Sequence, residues 1–234
     1  MARSLPSLLV TALVALVFGF AGAAAFWWSG MGERATRDYL LANPEILPDM
    51  AERLQQREAE KRLAEVADEV VRPFPGAVLG NPEGEVTLVE FSDYGCTFCR
   101  HSVADVKALI AGDPELRVIV REWPIFEGSE AAARMALAAA KQGKYAAFHD
   151  AMFAHGPPSE PSIAIAAQAA GLDLERANAV ARSPEVEFEL AKNRELARRL
   201  GFEGTPSWAA GKRLYFGAIG EERLREALAA AKES

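Results

Sequence analysis

Cys96 and Cys99 are the only two cysteines in the 234-residue chain, and Thr97 and Phe98 separate them. A disulfide scaffold would spread more cysteines along the sequence. A bridge closing so short a loop constrains the unfolded chain little. The pair therefore points to thiol chemistry. It follows an apolar run, Glu85-Val86-Thr87-Leu88-Val89-Glu90-Phe91, that reads as a buried strand, and it precedes a stretch with helical periodicity. Cys96 is thus expected at a helix N-terminus, where free N–H groups and the helix dipole favour an anion. Its pKa should fall below the free-thiol value of about 8.5. Cys99, one turn further on, should be the more buried sulfur and close enough to bond to Cys96. In the oxidised pair a client thiolate would attack Cys96, pass through a mixed disulfide and leave oxidised, with Cys96 released as a thiolate. Stabilising that reduced form makes the couple a stronger oxidant.

Zinc binding is the main alternative for a Cys-x-x-Cys pair, but zinc wants four ligands and no second pair exists. His101 lies two positions past Cys99 and is expected to point outward, while His149 and His155 have the wrong spacing for a standard site. No metal and no cofactor are expected. The formal net charge of −7 and a pI near 5.2 leave no basic face for phosphates, which argues against nucleic acid.

The elements that must position the pair can be read from the same pattern. After a helix carrying Val103, Val106, Leu109 and Ile110, Leu116 to Glu122 reads as a second strand. Strand, helix and strand in that order imply a parallel pairing with a right-handed crossover. Residues from Ser129 to about Gly201 are helical throughout. Ser207 to Ala210 and Arg213 to Phe216 then form a hairpin about Gly211-Lys212, and Glu221 to Lys232 closes the chain with a helix.

Upstream, Leu8 to Trp28 is apolar except for Thr11, with no charge until Glu33. About 20 such residues, rising about 1.5 Å each, can cross a hydrocarbon core. Phe26, Trp27 and Trp28 suit the membrane interface, and Arg3 favours a cytoplasmic N-terminus. A cleaved signal with Ala23-Ala24-Ala25 as its cutting site is the competing reading. Either way the remainder is exported. Residues 33 to 72 read as a polar helical spacer with a narrow apolar stripe (Met50, Leu54, Leu63, Val66, Val70) that does not keep a strict heptad. Pro73-Phe74-Pro75-Gly76 breaks it. The expected domains are 1–28 as anchor or signal, 29–75 as spacer, and 76–234 as an α/β domain with a helical insertion at about 129–201.

Two segments carry a family resemblance. Val89-Glu90-Phe91-Ser92-Asp93-Tyr94-Gly95-Cys96-Thr97-Phe98-Cys99 resembles the active-site segment of the DsbA family within the thioredoxin superfamily, and Gly204-Thr205-Pro206-Ser207-Trp208 resembles its cis-proline loop. The resemblance covers about residues 76 to 232 and implies a thioredoxin-like fold. It implies Cys96 as exposed nucleophile and Cys99 as resolving cysteine. It implies Pro206 as the cis-proline beside the disulfide and Thr205 as the residue whose backbone pairs with substrate. Glu90 would be a buried acid assisting proton movement, against the alternative of a strand-end carboxylate in solvent. One departure is Phe98, where the strongest oxidants of the family carry histidine. Phe98 offers no hydrogen bond or charge to Cys96, so a less depressed pKa and a less oxidising couple are expected.

Three functions remain open on these grounds. The first is an oxidase of exported proteins with a membrane partner of the DsbB type. The second is an isomerase or reductase that forms a homo-oligomer through the 29–75 segment. The third is a copper-binding thioredoxin-like module using both cysteines as soft ligands.

Overall fold

The apolar runs of the sequence become the strands of one sheet in the computed structural model, which describes residues 5–28 and 31–232. Arg3, assigned above to the cytoplasmic side, lies outside the described residues. The strands are β1 (Val78–Gly80), β2 (Val86–Ser92), β3 (Leu116–Glu122), β4 (Ser207–Ala210) and β5 (Arg213–Phe216), in the spatial order β1-β3-β2-β4-β5. β2 and β3 are parallel in register Val86↔Leu116 to Ser92↔Glu122, as a βαβ crossover requires. The other three pairings are antiparallel. This is a thioredoxin-like α/β sheet. β1, three residues long, was not anticipated, because so short an edge strand carries too little alternation to be read.

The helices run in chain order: α1 (Leu5–Trp28), α2 (Met31–Ala42), α3 (Ile46–Ala64), α4 (Ala67–Val70), α5 (Thr97–Gly112), α6 (Ser129–Ala140), α7 (Tyr145–Ala154), α8 (Glu160–Ala169), α9 (Leu174–Ala181), α10 (Pro184–Leu200) and α11 (Glu221–Lys232). α6 to α10 are the helical insertion between β3 and β4. β2 is buried on both faces, and its side chains alternate between two cores. Leu88 joins the larger core with Cys96, Cys99, Val118 and Val120, while Val89 and Phe91 join Ile119 and Trp123 in the smaller one.

The chain divides into two compact units, Met1–Gln55 and Gln56–Ser234. In the first, the stretch Leu9–Trp28 of α1 is long and apolar enough to cross a membrane, with a mean hydropathy of 2.3. The second begins well before residue 76, the expected start of the α/β domain. Leu63, Val66 and Val70 are buried in the smaller core beside Phe91, Leu196 and Leu200. The end of the expected spacer thus belongs physically to the catalytic body.

Arg121 explains much of that attachment. It is fully buried on the smaller-core face of β3. Its guanidinium donates to Glu189 Oε1 at 2.9 Å, to Asn193 Oδ1 at 3.2 Å and to the Val70 carbonyl at 2.9 Å, and also to the carbonyls of Glu69 and Arg72. One planar cation thereby joins β3, α10 and the turn after α4. Arg121→Ala would strand three backbone carbonyls in the interior and leave Glu189 with Lys192 as its ion-pair partner. The expected loss is about 3–5 kcal/mol of unfolding free energy, read by urea denaturation. A loss below about 1 kcal/mol would mean the guanidinium is dispensable.

Candidate active site

Strand pairing brings the two sequence signatures together. β2 ends at Ser92, where the loop carrying the cysteines begins, and Phe91 pairs with Ser207 of β4. Ser207 directly follows Pro206, so the Thr205-Pro206 bond, which is cis, lies beside the cysteine loop. The Cys96 thiol donates to the Thr205 carbonyl at 3.1 Å.

The loop itself is held by Asp93. Its Oδ1 accepts from the Gly95 N–H at 2.7 Å, and its Oδ2 accepts from the N–H groups of Ile125 and Phe126 at 2.6 and 2.9 Å. This Asx turn ties the cysteine loop to the segment that follows β3. Gly95 is required by that closeness, since a Cβ there would lie 2.6 Å from Ser129 Oγ and 3.0 Å from Phe126 Cβ. Cys96 then caps α5 with extended backbone angles, φ −82° and ψ 120°. The N–H groups of Phe98 and Cys99 face its sulfur.

These contacts separate the two sulfurs chemically. Cys96 is lowered to about 5, first by the hydrogen bond from the Cys99 thiol and further by Thr205 and by the N–H groups of α5, against the opposing effect of burial. The Thr205 hydroxyl is buried without another partner and is free to serve the thiolate. Cys99 is pushed far upward by burial, by its hydrogen bond to Cys96 and by the Glu90 charge. Glu90 is raised to about 8, chiefly by burial, with the Cys96 charge adding to the shift.

The structure brings Cys96, Cys99, Thr205, Pro206 and Glu90 to one end of the sheet. Glu90 is buried, so the solvent-facing alternative does not hold. Cys96 needs a correction. It is expected to be exposed, yet only 3% of its surface is accessible, against 0% for Cys99. The physical cause is the Thr205–Pro206 loop, which takes the thiol's hydrogen bond and covers the sulfur. Phe98, by contrast, is 62% exposed, and His101 is exposed. Trp123 does not reach the active-site loop. It packs edge-on to Phe91, 6.3 Å away, on the opposite face of the sheet.

Four residues escaped the sequence reading: Asp93, Tyr94, Glu122 and Tyr145. Glu122 Oε1 accepts from both Tyr94, at 3.0 Å, and Tyr145, at 2.6 Å, in the interior. The readable signals were Asp93 two places before a glycine, which marks an Asx turn, and a charged residue ending a strand otherwise buried.

A sheet of this order, with the helix after its central strand opening on the cysteine pair, defines the thioredoxin-like class of redox domain. The comparisons narrow it. The model of the DSBA-like thioredoxin domain matches residues 87–229, and the chain belongs to that family of thiol–disulfide oxidoreductases. A second model, the copper resistance protein ScsC N-terminal domain, matches residues 33–61. A thioredoxin-like oxidoreductase from Silicibacter pomeroyi DSS-3 is 44% identical with a TM-score of 0.64, covering 67% of this chain and 92% of that one. The thiol-disulfide exchange protein alpha-DsbA2 from Wolbachia pipientis is 29% identical with a TM-score of 0.67, covering 74% and 97%. The Na(+)/H(+) antiporter NhaA of Herminiimonas arsenicoxydans is 34% identical over 167 residues, which are 68% of this chain and 26% of that protein. The chain spans about a quarter of the length of the curated relatives it matches.

A thiol whose folded pKa lies below its unfolded value stabilises the fold above the unfolded pKa and loses that contribution as pH falls through the folded one. With Cys96 going from 9.0 to about 5, reduced protein should lose stability relative to Cys96→Ser as pH falls from 7 to 5. The relative change should be about 2 kcal/mol by urea unfolding. A difference independent of pH would contradict the assignment.

Proposed function

We propose that the chain catalyses disulfide exchange on exported proteins, acting as a disulfide-forming oxidase. The observation that carries this reading is the asymmetry of the two sulfurs: a stabilised Cys96 anion beside a Cys99 that holds its proton. A client thiolate attacks Cys96 in the oxidised pair. The Cys96–Cys99 bond breaks with its electrons on Cys99, which takes a proton from the neutral Glu90 carboxyl, leaving a client–Cys96 mixed disulfide. A second client thiolate then attacks the client sulfur, and Cys96 departs as a thiolate of low basicity. Both electrons now reside on the pair, and the client carries the disulfide.

The surroundings support a polypeptide client. Phe98 beside the sulfurs, and Ile125 and Phe126 on the loop that Asp93 ties to them, are exposed apolar side chains. The Thr205 carbonyl beside Cys96 offers an acceptor for a client backbone N–H. The Phe98 side chain lends Cys96 neither charge nor donor, so the couple is less oxidising than in relatives with histidine there. The apolar α1 supports export, with the domain held at the periplasmic face of the inner membrane, or released if the N-terminus is cut. Re-oxidation then falls to a membrane partner of the DsbB type.

A second reading, a homo-oligomeric isomerase, is favoured by the exposed apolar residues Tyr39, Leu41, Leu47, Met50 and Leu54 on α2 and α3. A deletion testing it must stop near residue 55, because Leu63, Val66 and Val70 belong to the domain core.

Cys99→Ser should trap client proteins on Cys96 as mixed disulfides that reducing agent releases. Full-length protein should oxidise a reduced client far faster than it unscrambles a mispaired one. Isomerisation lost on removing residues up to 55 would move the assignment to the second reading. Absence of trapped species would reject both.

A further inference from the structure

Glu122 is fully used by the interior and unused by the mechanism above. It ends β3 in register with Ser92 of β2, on the sheet face that carries Leu88, Glu90 and the cysteine helix. A single oxygen of its carboxyl takes both phenol hydrogen bonds, from Tyr94 at 3.0 Å and Tyr145 at 2.6 Å. Tyr94 is two residues before Cys96, so the carboxyl fixes the segment that delivers the nucleophile. Asn193 of α10 donates to the Glu122 backbone carbonyl at 3.1 Å, which anchors the strand end as well.

The groups facing Glu122 supply no positive charge. From the cysteine loop come Tyr94 and Asp93, from β2 Glu90, and from α7 Tyr145, with the His149 ring stacked beside both tyrosines. Burial holds His149 towards its neutral form. Arg121 occupies the opposite face of the sheet, where Glu189 and backbone carbonyls occupy it. Glu90 and Glu122 therefore share one buried face with the Asp93 charge beside it and, among the described residues, no cation, and ionising both is costly.

The geometry points to Glu122 as a positioning residue for disulfide exchange, which in its uncharged form anchors Tyr94 and keeps a second negative charge away from Glu90 and Cys99. The inference rests on the reading that Glu90 passes a proton to and from Cys99. When Glu90 gives its proton to the departing Cys99 thiolate, the resulting carboxylate adds a negative charge to a face that already meets the Asp93 charge. When Cys99 later returns to attack, Glu90 takes that proton back. A second charge on Glu122 would repel the negative charge that arrives on Cys99 and Glu90 and slow that departure of Cys99. Burial raises Glu122 to about 8, with the Tyr145 and Tyr94 hydrogen bonds opposing and the Asp93 and Glu90 charges reinforcing the shift. Glu122 is accordingly neutral at pH 7 and becomes charged in mildly alkaline solution.

Glu122→Gln mimics the uncharged carboxyl and keeps an acceptor for the tyrosines. The test measures attack of a small-molecule thiolate on the oxidised Cys96–Cys99 pair in single turnover, for wild type and variant across about pH 6.5 to 9.5. The ratio of variant to wild-type rate should rise roughly threefold to tenfold over that range, because only wild type acquires the second charge. A ratio that stays flat, while Glu90→Gln is impaired, overturns this inference alone. A Glu90→Gln protein as fast as wild type at every pH overturns the proton-transfer reading beneath it and the inference with it. Should Glu122→Gln fail to fold, carboxyl-carbon NMR of the wild type decides. Glu122 titrating near pH 8 with a matching inflection at Glu90 supports the inference, whereas titration at an ordinary value of about 4 overturns it.

Discussion

The Cys96 sulfur lies 3.1 Å from the Thr205 carbonyl oxygen, across 109 residues of chain, and most of the architecture serves to keep those two atoms together. Closing a segment of that length costs entropy that neither motif could offset alone. The β2–β4 pairing offsets it by placing Phe91 against Ser207, so the strand leading to Cys96 and the strand following Pro206 share one edge. The intervening insertion, α6 to α10, packs Phe148, Met152 and Leu190 into the larger core that also holds Leu88, Cys96 and Cys99. Its length is therefore tolerated, and Tyr145 reaches back from α7 to the acid at the end of β3.

The end of β3 places two ionisable residues side by side with opposite duties. Arg121 points to the smaller core and holds the turn after α4, and Glu122 points to the larger core and holds Tyr94. A buried guanidinium cannot shed its proton and so gathers acceptors around itself. A buried carboxyl can take one up, and Glu90 and Glu122 both do so at neutral pH because burial outweighs their hydrogen bonds. The sulfurs inherit this arrangement. Cys96 has α5 N–H groups and the Cys99 thiol to stabilise its anion, whereas Cys99 meets burial and the Glu90 charge.

The residues that form the site through their own chain neighbours were legible in the sequence. Cys96 at the start of α5, the runs that became β2 and β3, and the hairpin of β4 and β5 follow from periodicity and short turns. What stayed hidden depends on contacts between distant segments. Nothing near Glu122 announces two tyrosines, one 28 and the other 23 positions away. The Asp93 clamp closes on N–H groups 32 and 33 residues downstream. The cover over Cys96 likewise comes from Thr205, which makes the nucleophile less accessible than its place at a helix terminus suggests. The reach of the catalytic body back to Gln56 was missed because Leu63, Val66 and Val70 look like a stripe on a free helix until a second core receives them.

The account stands on the claim that Cys96 is an anion at neutral pH while Cys99 is not. The most direct measurement is ultraviolet thiolate absorbance of the reduced protein as a function of pH, with Cys99→Ser and Cys96→Ser titrated beside it. The account predicts one thiolate in the wild type with a midpoint near 5, lost in Cys96→Ser, and no second thiolate up to about pH 10. A first midpoint at about 8.5, the value of an unassisted thiol, would contradict it.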